Sequence, residues 1–158
     1  MTGKASAQVG DNALPTGSWA VDVATRNKML GNRSRDTKPE LLVRSLLHER
    51  GLRYRVNQRP LPELRRTADI VFRKARVAVF IDGCFWHGCP EHYKQPSTNK
   101  KYWSNKVEGN KRRDQDTDDC LIAAGWTVLR AWEHDDPAAV AVRIEAEVRT
   151  ATRRSFRG

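Results

Sequence analysis

The chain has 158 residues, with 29 Lys and Arg against 19 Asp and Glu, a net charge of +10 and a pI near 10. A single domain of that length can bury a core without disulfide staples. No apolar run approaches the roughly 18 residues of a membrane span, and the N-terminus lacks the charged, then apolar, then small pattern of a signal peptide. The expectation is a cytoplasmic protein whose three cysteines are thiols or metal ligands rather than disulfides. The excess of cations favours a polyanionic partner, nucleic acid first, with an anionic membrane surface or simple solubility as plainer readings.

Residues 1–24 are rich in Gly, Ala, Ser and Asn without periodicity and read as a flexible N-terminal arm. Residues 25–36 carry a concentration of Arg that can lie along a DNA groove or be an ordinary solvated approach to the fold. The first clear element starts at Thr37-Lys-Pro-Glu40, a capping-box pattern. Leu42, Val43, Leu46 and Leu47 give it an apolar helical stripe and Gly51 a stop. Strands are predicted at 52–56 and 68–72, and at 77–81, where Val77-Ala-Val-Phe-Ile81 is apolar throughout and so central. A long polar helix from about Asn99 to Ala124 ends at Gly125. Trp126–Trp132 alternates as a strand, and Asp136-Pro137 caps a last helix with Val140, Ile144 and Val148 on its apolar face. From Thr150 the tail is basic and expected to fray. The order predicts an α/β fold with a small mixed sheet, with the folded domain at 25–150 and a tail at 151–158.

The chemistry concentrates between the third strand and the long helix. Asp69 and Asp82 lie at the ends of neighbouring strands, where two carboxylates can hold a hard divalent cation such as Mg²⁺. A strand-end cap and a turn former before Gly83 are the plainer readings, and spacing alone favours them. Spacing likewise makes Glu40 a capping residue. Cys84-x4-Cys89-x2-His92 offers three ligands of the type a closed structural zinc site takes. The fourth is His134, just after a strand, or Cys120 inside the long helix, and His134 is preferred. His87 is then left over between the zinc loop and the acids. Its pKa range suits a general base; a further zinc-loop ligand or a phosphate contact is the alternative. Phe85, Trp86 and Trp103 can stack on bases or enter a base step, or pack in the core. Lys100, Lys101, Lys106, Lys111, Arg112 and Arg113 can follow a phosphate backbone, or simply solvate a helix face.

Taken together, Asp36–Arg44, Gly51–Arg55, Ala68–Phe72, Phe80–His92, Tyr102-Trp103 with Lys106, Asn110, Arg113 and Asp114, and Ala124–His134 resemble the very short patch repair (Vsr) DNA mismatch endonucleases over about residues 25–135. The Gly-Cys-Phe-Trp-His run is the specific part. The resemblance implies a restriction-endonuclease-like three-layer fold with a structural zinc loop. It implies Mg²⁺-dependent nicking of double-stranded DNA on the 5′ side of the thymine in a T:G mismatch left by deaminated 5-methylcytosine. It also implies a monomer acting at the bacterial nucleoid, with mismatch-repair proteins as candidate partners.

By matched position, Asp69 becomes the metal-binding acid, His87 the base, and Glu40 a support for the metal's water shell. Cys84, Cys89, His92 and His134 become zinc ligands, Phe85, Trp86 and Trp103 intercalating aromatics, and Lys106 and Asn110 contacts to the mismatched pair. The familiar pattern has Thr-His where this chain has Ile81-Asp82. A metal contact through the backbone carbonyl survives at Ile81, and Asp82 stands as a second carboxylate near the metal. The second and third zinc ligands also differ from that pattern in type and spacing. Two alternatives remain, a restriction-type nuclease of the same fold with another target and a zinc-stabilised DNA-binding module without catalysis.

Overall fold

The computed structural model describes residues 35–157. The N-terminal arm and most of the basic segment expected at 25–36 lie outside them. Within them the order is α1 (Lys38–Glu49), β1 (Arg55–Gln58), β2 (Ala68–Phe72), β3 (Val77–Asp82), α2 (Lys100–Ala123), β4 (Thr127–Trp132) and α3 (Pro137–Ser155).

The four strands form one mixed sheet in the order β1-β2-β3-β4. β1 and β2 pair antiparallel, as do β2 and β3, whereas β3 and β4 run parallel with α2 as their crossover. Alternation sends Val77 and Val79 to one face, where α1 and α3 cover them with Val43, Leu47, Val140, Ile144 and Val148. Ala78 and Phe80 face the other way, onto Leu121 of α2 and Trp126. The same parity carries Asp82 to the α2 side, which decides where its carboxylate can act.

The helix ends follow the sequence. Gly51 and Gly125 take positive φ of 78° and 80°. Each leads a pair of bonds back into its helix, Gly51 N–H to His48 and Leu52 N–H to Leu47, Gly125 N–H to Ile122 and Trp126 N–H to Leu121. Asp136 caps α3 by accepting from the Ala139 N–H at 3.1 Å.

Three expectations are corrected. The first strand is Arg55–Gln58, because Gly51 and Leu52 are spent closing α1. The stripe of α1 is rotated: Glu40, Val43, Arg44 and Leu47 are buried, while Leu42 is 45% exposed. The chain past Thr150 does not fray at once, since α3 continues to Ser155 and Ala151 packs on the core.

Candidate active site and metal centre

A cleft opens at the end of β2 and β3 on the α2 side, lined by Asp69, Ile81, Asp82, His87, Arg113 and Asp114 among others. The Asp69 carboxylate is tied by Oδ2 to the Ile81 N–H at 2.7 Å. Burial pushes its pKa up to about 7, against the hydrogen bond from Ile81, and the nearby charges of Glu40 and Asp82 push the same way. A buried carboxylate crowded by two other acids lacks positive charge, which fits an oxygen-ligated divalent cation.

Glu40 is 2% exposed. It does not close the capping box expected of it. Thr37 donates its hydroxyl to Glu40 at 3.0 Å instead of accepting from the helix, and Glu40 reaches past Thr37 to the Asp36 N–H at 2.8 Å. Arg44, buried beside it, bonds both Glu40 at 3.2 Å and Asp36 at 2.6 Å. This fixes the Glu40 carboxylate, whose charge is felt at Asp69.

His87 lies across the cleft. Its Nδ1 is 2.6 Å from Oδ2 of Asp114 and 3.8 Å from Oδ1 of Asp82. A carboxylate can only accept, so Nδ1 carries the proton in that bond, and in the neutral imidazole Nε2 holds the lone pair. Asp82 does not stand as a bare second carboxylate. Both its oxygens accept from Nη1 of Arg130, at 2.9 and 3.0 Å, and burial, opposed chiefly by Arg130, raises its pKa. Neither Asp114 nor Arg130 had been singled out for a role from sequence. Asp114 is one acid among several on a charged helix, and Arg130 looks like an outward residue on an alternating strand. The one available signal was parity, since Arg130 is the partner of Phe80 in the β3–β4 ladder and so faces α2.

The Cys/His residues assemble next to the cleft. Cys84 Sγ lies 3.1 Å from Nδ1 of His134, and Cys89 Sγ lies 3.7 Å from Nδ1 of His92 and 3.8 Å from Nδ1 of His134. Four ligand atoms within 4.8 Å of one another form a potential metal site. Bonds of roughly 2.0–2.3 Å to a tetrahedral ion set ligands about 3.3–3.8 Å apart, so the spacing fits. The thiol chemistry fits too. Burial, the Cys89 sulfur and Glu133 hold Cys84 up at about 12. In Cys89 burial raises the pKa, but backbone N–H groups of Glu91 and His92 and the His92 ring outweigh it and lower the thiol. Without a cation the pair does not readily carry two thiolates; a dication removes that conflict. Glu133 accepts the Cys84 N–H at 2.8 Å, and Asp135 and Glu91 lie 3.6 and 3.7 Å from Nε2 of His134. Cys120 is exposed on α2, outside the cluster.

Phe85, Trp86 and Trp103 form one aromatic group, with Phe85 edge-on to both indoles at 5.2 Å. Phe85 and Trp86 are half-buried, whereas Trp103 is 5% exposed and packs as a core residue here. Tyr93 and Tyr102 extend the group. Asn110 donates its amide to the Trp86 carbonyl at 2.7 Å, which clamps the loop to α2, and Lys106 is exposed a turn earlier. Gly88 makes the close approach possible. Its φ is +63°, and a Cβ there would sit 2.6 Å from Val107 and 2.8 Å from Lys111. Gly88→Ala is therefore expected to lose roughly 2–4 kcal/mol from overlap and backbone strain, read as a drop in thermal midpoint of about 5–15 °C.

The family model "DNA mismatch endonuclease Vsr" matches residues 20–94. The type II nicking enzyme V.NaeI of Lentzea aerocolonigenes is 43% identical over 135 residues, 84% of this chain and 81% of that protein. V.XorIIP of Xanthomonas oryzae, another type II nicking enzyme, is 45% identical over 102 residues, 64% of this chain and 73% of its own. The DNA mismatch endonuclease Vsr of Escherichia coli is 38% identical over 114 residues, 71% of each chain. On the family match and the likeness to these relatives, the chain belongs to the Vsr family of DNA endonucleases.

Proposed function

We propose that this endonuclease nicks one strand of duplex DNA at a T:G mismatch, on the 5′ side of the thymine, with His87 as general base. The observation that carries the reading is the 2.6 Å His87–Asp114 pair opposite Asp69, directly beside the aromatic loop. Asp114 holds the imidazole so that Nε2 can take a proton from water attacking the phosphodiester. A divalent cation held by the Asp69 carboxylate and the Ile81 carbonyl, with Glu40 behind it, would polarise the phosphate and stabilise the leaving oxygen. The Cys84, Cys89, His92 and His134 set suits zinc, which would hold the His87 loop in shape. Phe85 and Trp86 would enter the base stack, Trp103 would follow once uncovered, and Lys106 and Asn110 would meet the mismatched pair. The exposed Lys and Arg of α2 would follow the backbone.

Replacing His87 by Ala is expected to slow nicking about 10²- to 10⁴-fold with DNA affinity retained. Single-turnover rates and a gel-shift titration on the same duplex measure both. The specificity itself is tested by offering a T:G duplex and its T:A counterpart, with and without Mg²⁺. Nicking of T:G alone, and only with Mg²⁺, is expected. Equal cleavage of both would favour a nicking enzyme with another target, a reading that the printed names of the relatives keep open. Binding without cleavage would leave only a DNA-binding module.

A further inference from the structure

We infer that Arg130 is a built-in cation that occupies a cluster in the cleft otherwise able to take a second metal ion, and that it thereby positions the His87–Asp114 pair. This rests on the nuclease reading for its kinetic consequence, but not for its metal chemistry.

Asp82, His87 and Asp114 each offer a ligand atom within 4.8 Å of the others. Two carboxylates and an imidazole are a ligand set that divalent transition metals accept. Yet Nη1 of Arg130 already lies 2.9 Å from Asp82 Oδ1 and 3.6 Å from Asp114 Oδ1. A divalent ion in this cluster would have to displace a guanidinium that stays protonated at any working pH.

The guanidinium is itself anchored. Its Nε and Nη2 bond Asp118 at 2.8–3.0 Å, one turn further along α2, and Nη2 reaches the Asp114 carbonyl at 3.4 Å. Its plane lies over Phe80, with Cζ 4.5 Å from the ring centroid. One residue of β4 thus holds two acids of α2 and the last acid of β3 in register. Asp114 is left with Oδ1 toward Arg130 and Oδ2 on His87. Arg130 touches neither His87 nor Asp69 in these contacts, so it is a positioning residue.

The sign of the effect follows from charge. Take away Arg130, and Asp82, Asp114 and Asp118 lose their shared counterion in a cleft that must accept a phosphodiester. They are then free to recruit a metal that takes His87 as a ligand and so removes the base.

The test uses the full chain and Mn²⁺ binding followed by EPR. An Asp69→Asn background removes the proposed principal site and is expected to bind no Mn²⁺ at micromolar concentration. Adding Arg130→Gln is expected to create one site per chain, and adding Asp114→Asn to abolish it. In the otherwise native chain, Arg130→Gln is expected to lower kcat about tenfold or more with KM for DNA within about twofold, and Arg130→Lys to recover part of the loss. Asp118→Asn, which touches the clamp but not His87, guards against misfolding and should lower kcat in the same direction at an unchanged thermal midpoint. No Mn²⁺ gain on Arg130→Gln, or an unchanged kcat in both Arg130→Gln and Asp118→Asn, overturns the inference. A native chain that nicks no DNA while the Mn²⁺ series behaves as described would sink the nuclease reading and leave this one standing.

Discussion

Asp69→Asn is expected to nick a T:G duplex about a thousandfold more slowly than the native chain, the loss that a few kcal/mol of missing transition-state stabilisation produces. The substitution keeps the shape and the bond to Ile81, but takes away the charge a cation would need. The native carboxylate has a pKa near 7, raised first by burial and then by Glu40 and Asp82. Protons therefore compete with metal across neutral pH. At limiting Mg²⁺ the native rate should climb as pH rises through about 7, and more Mg²⁺ should move that limb to lower pH.

Stability should show the opposite sign. A carboxyl whose folded pKa lies above its unfolded 3.8 makes the folded state bind more protons. Metal-free stability then falls as pH rises from about 4 to about 7, by at most roughly 4 kcal/mol. Divalent metal should recover part of that loss, and Asp69→Asn should remove both the slope and the recovery. Thermal melts at several pH values with and without Mg²⁺ read all three. A variant that nicks at the native rate would end the assignment of Asp69.

How much of this was legible follows from where each residue sits in the chain. Asp69 and His87 were visible because a strand end and a short Gly-bounded loop restrict where their side chains can go. Cys84, Cys89 and His92 could be grouped from spacing, and it is His134, 3.1 Å from Cys84, rather than Cys120 that joins them in the fold. Glu40 was misread from spacing for a physical reason. The acid at the third helical position of a capping box reaches back to the N-cap N–H, but here it reaches one residue further, to Asp36, and meets a buried Arg44 that the apolar stripe concealed. Asp114 and Arg130 stayed hidden because their partners are 27 and 48 residues away. Nothing local separates a clamping acid on a polar helix from a solvated one. The aromatic group was visible as composition but not as packing, since whether Trp103 is core or wedge depends on α2 lying against the loop.

If the Cys/His cluster holds zinc as proposed, removing that ion should be the most disruptive change outside the cleft. Three of the four residues, Cys84, Cys89 and His92, lie in the loop after β3 and His134 follows β4, so the cluster ties the loop to the sheet. The loop's other ties include the His87–Asp114 bond, turn bonds from His87 N–H to Gly83, Cys89 N–H to Cys84 and Tyr93 N–H to Cys89, the Glu133 bond, Asn110 and the aromatic contacts. A zinc-loaded chain should contain about one ion. Cys89→Ser or prolonged chelation should remove it and lower the thermal midpoint by on the order of 10 °C, as a few kcal/mol does in a domain of this size. Nicking should fall in step and should not return with excess Mg²⁺, because His87 sits between two of the ligands and loses its alignment with Asp114. Cys120→Ser is the matched control, since an exposed thiol on α2 outside the cluster should leave metal content, midpoint and rate unchanged. Metal analysis that found no ion in the native chain, or a Cys89→Ser chain with native stability and rate, would make the cluster a packing feature. The coincidence of two sulfurs and two imidazoles within 4.8 Å, beside the residue proposed as the base, argues that loop order and catalysis are coupled through it.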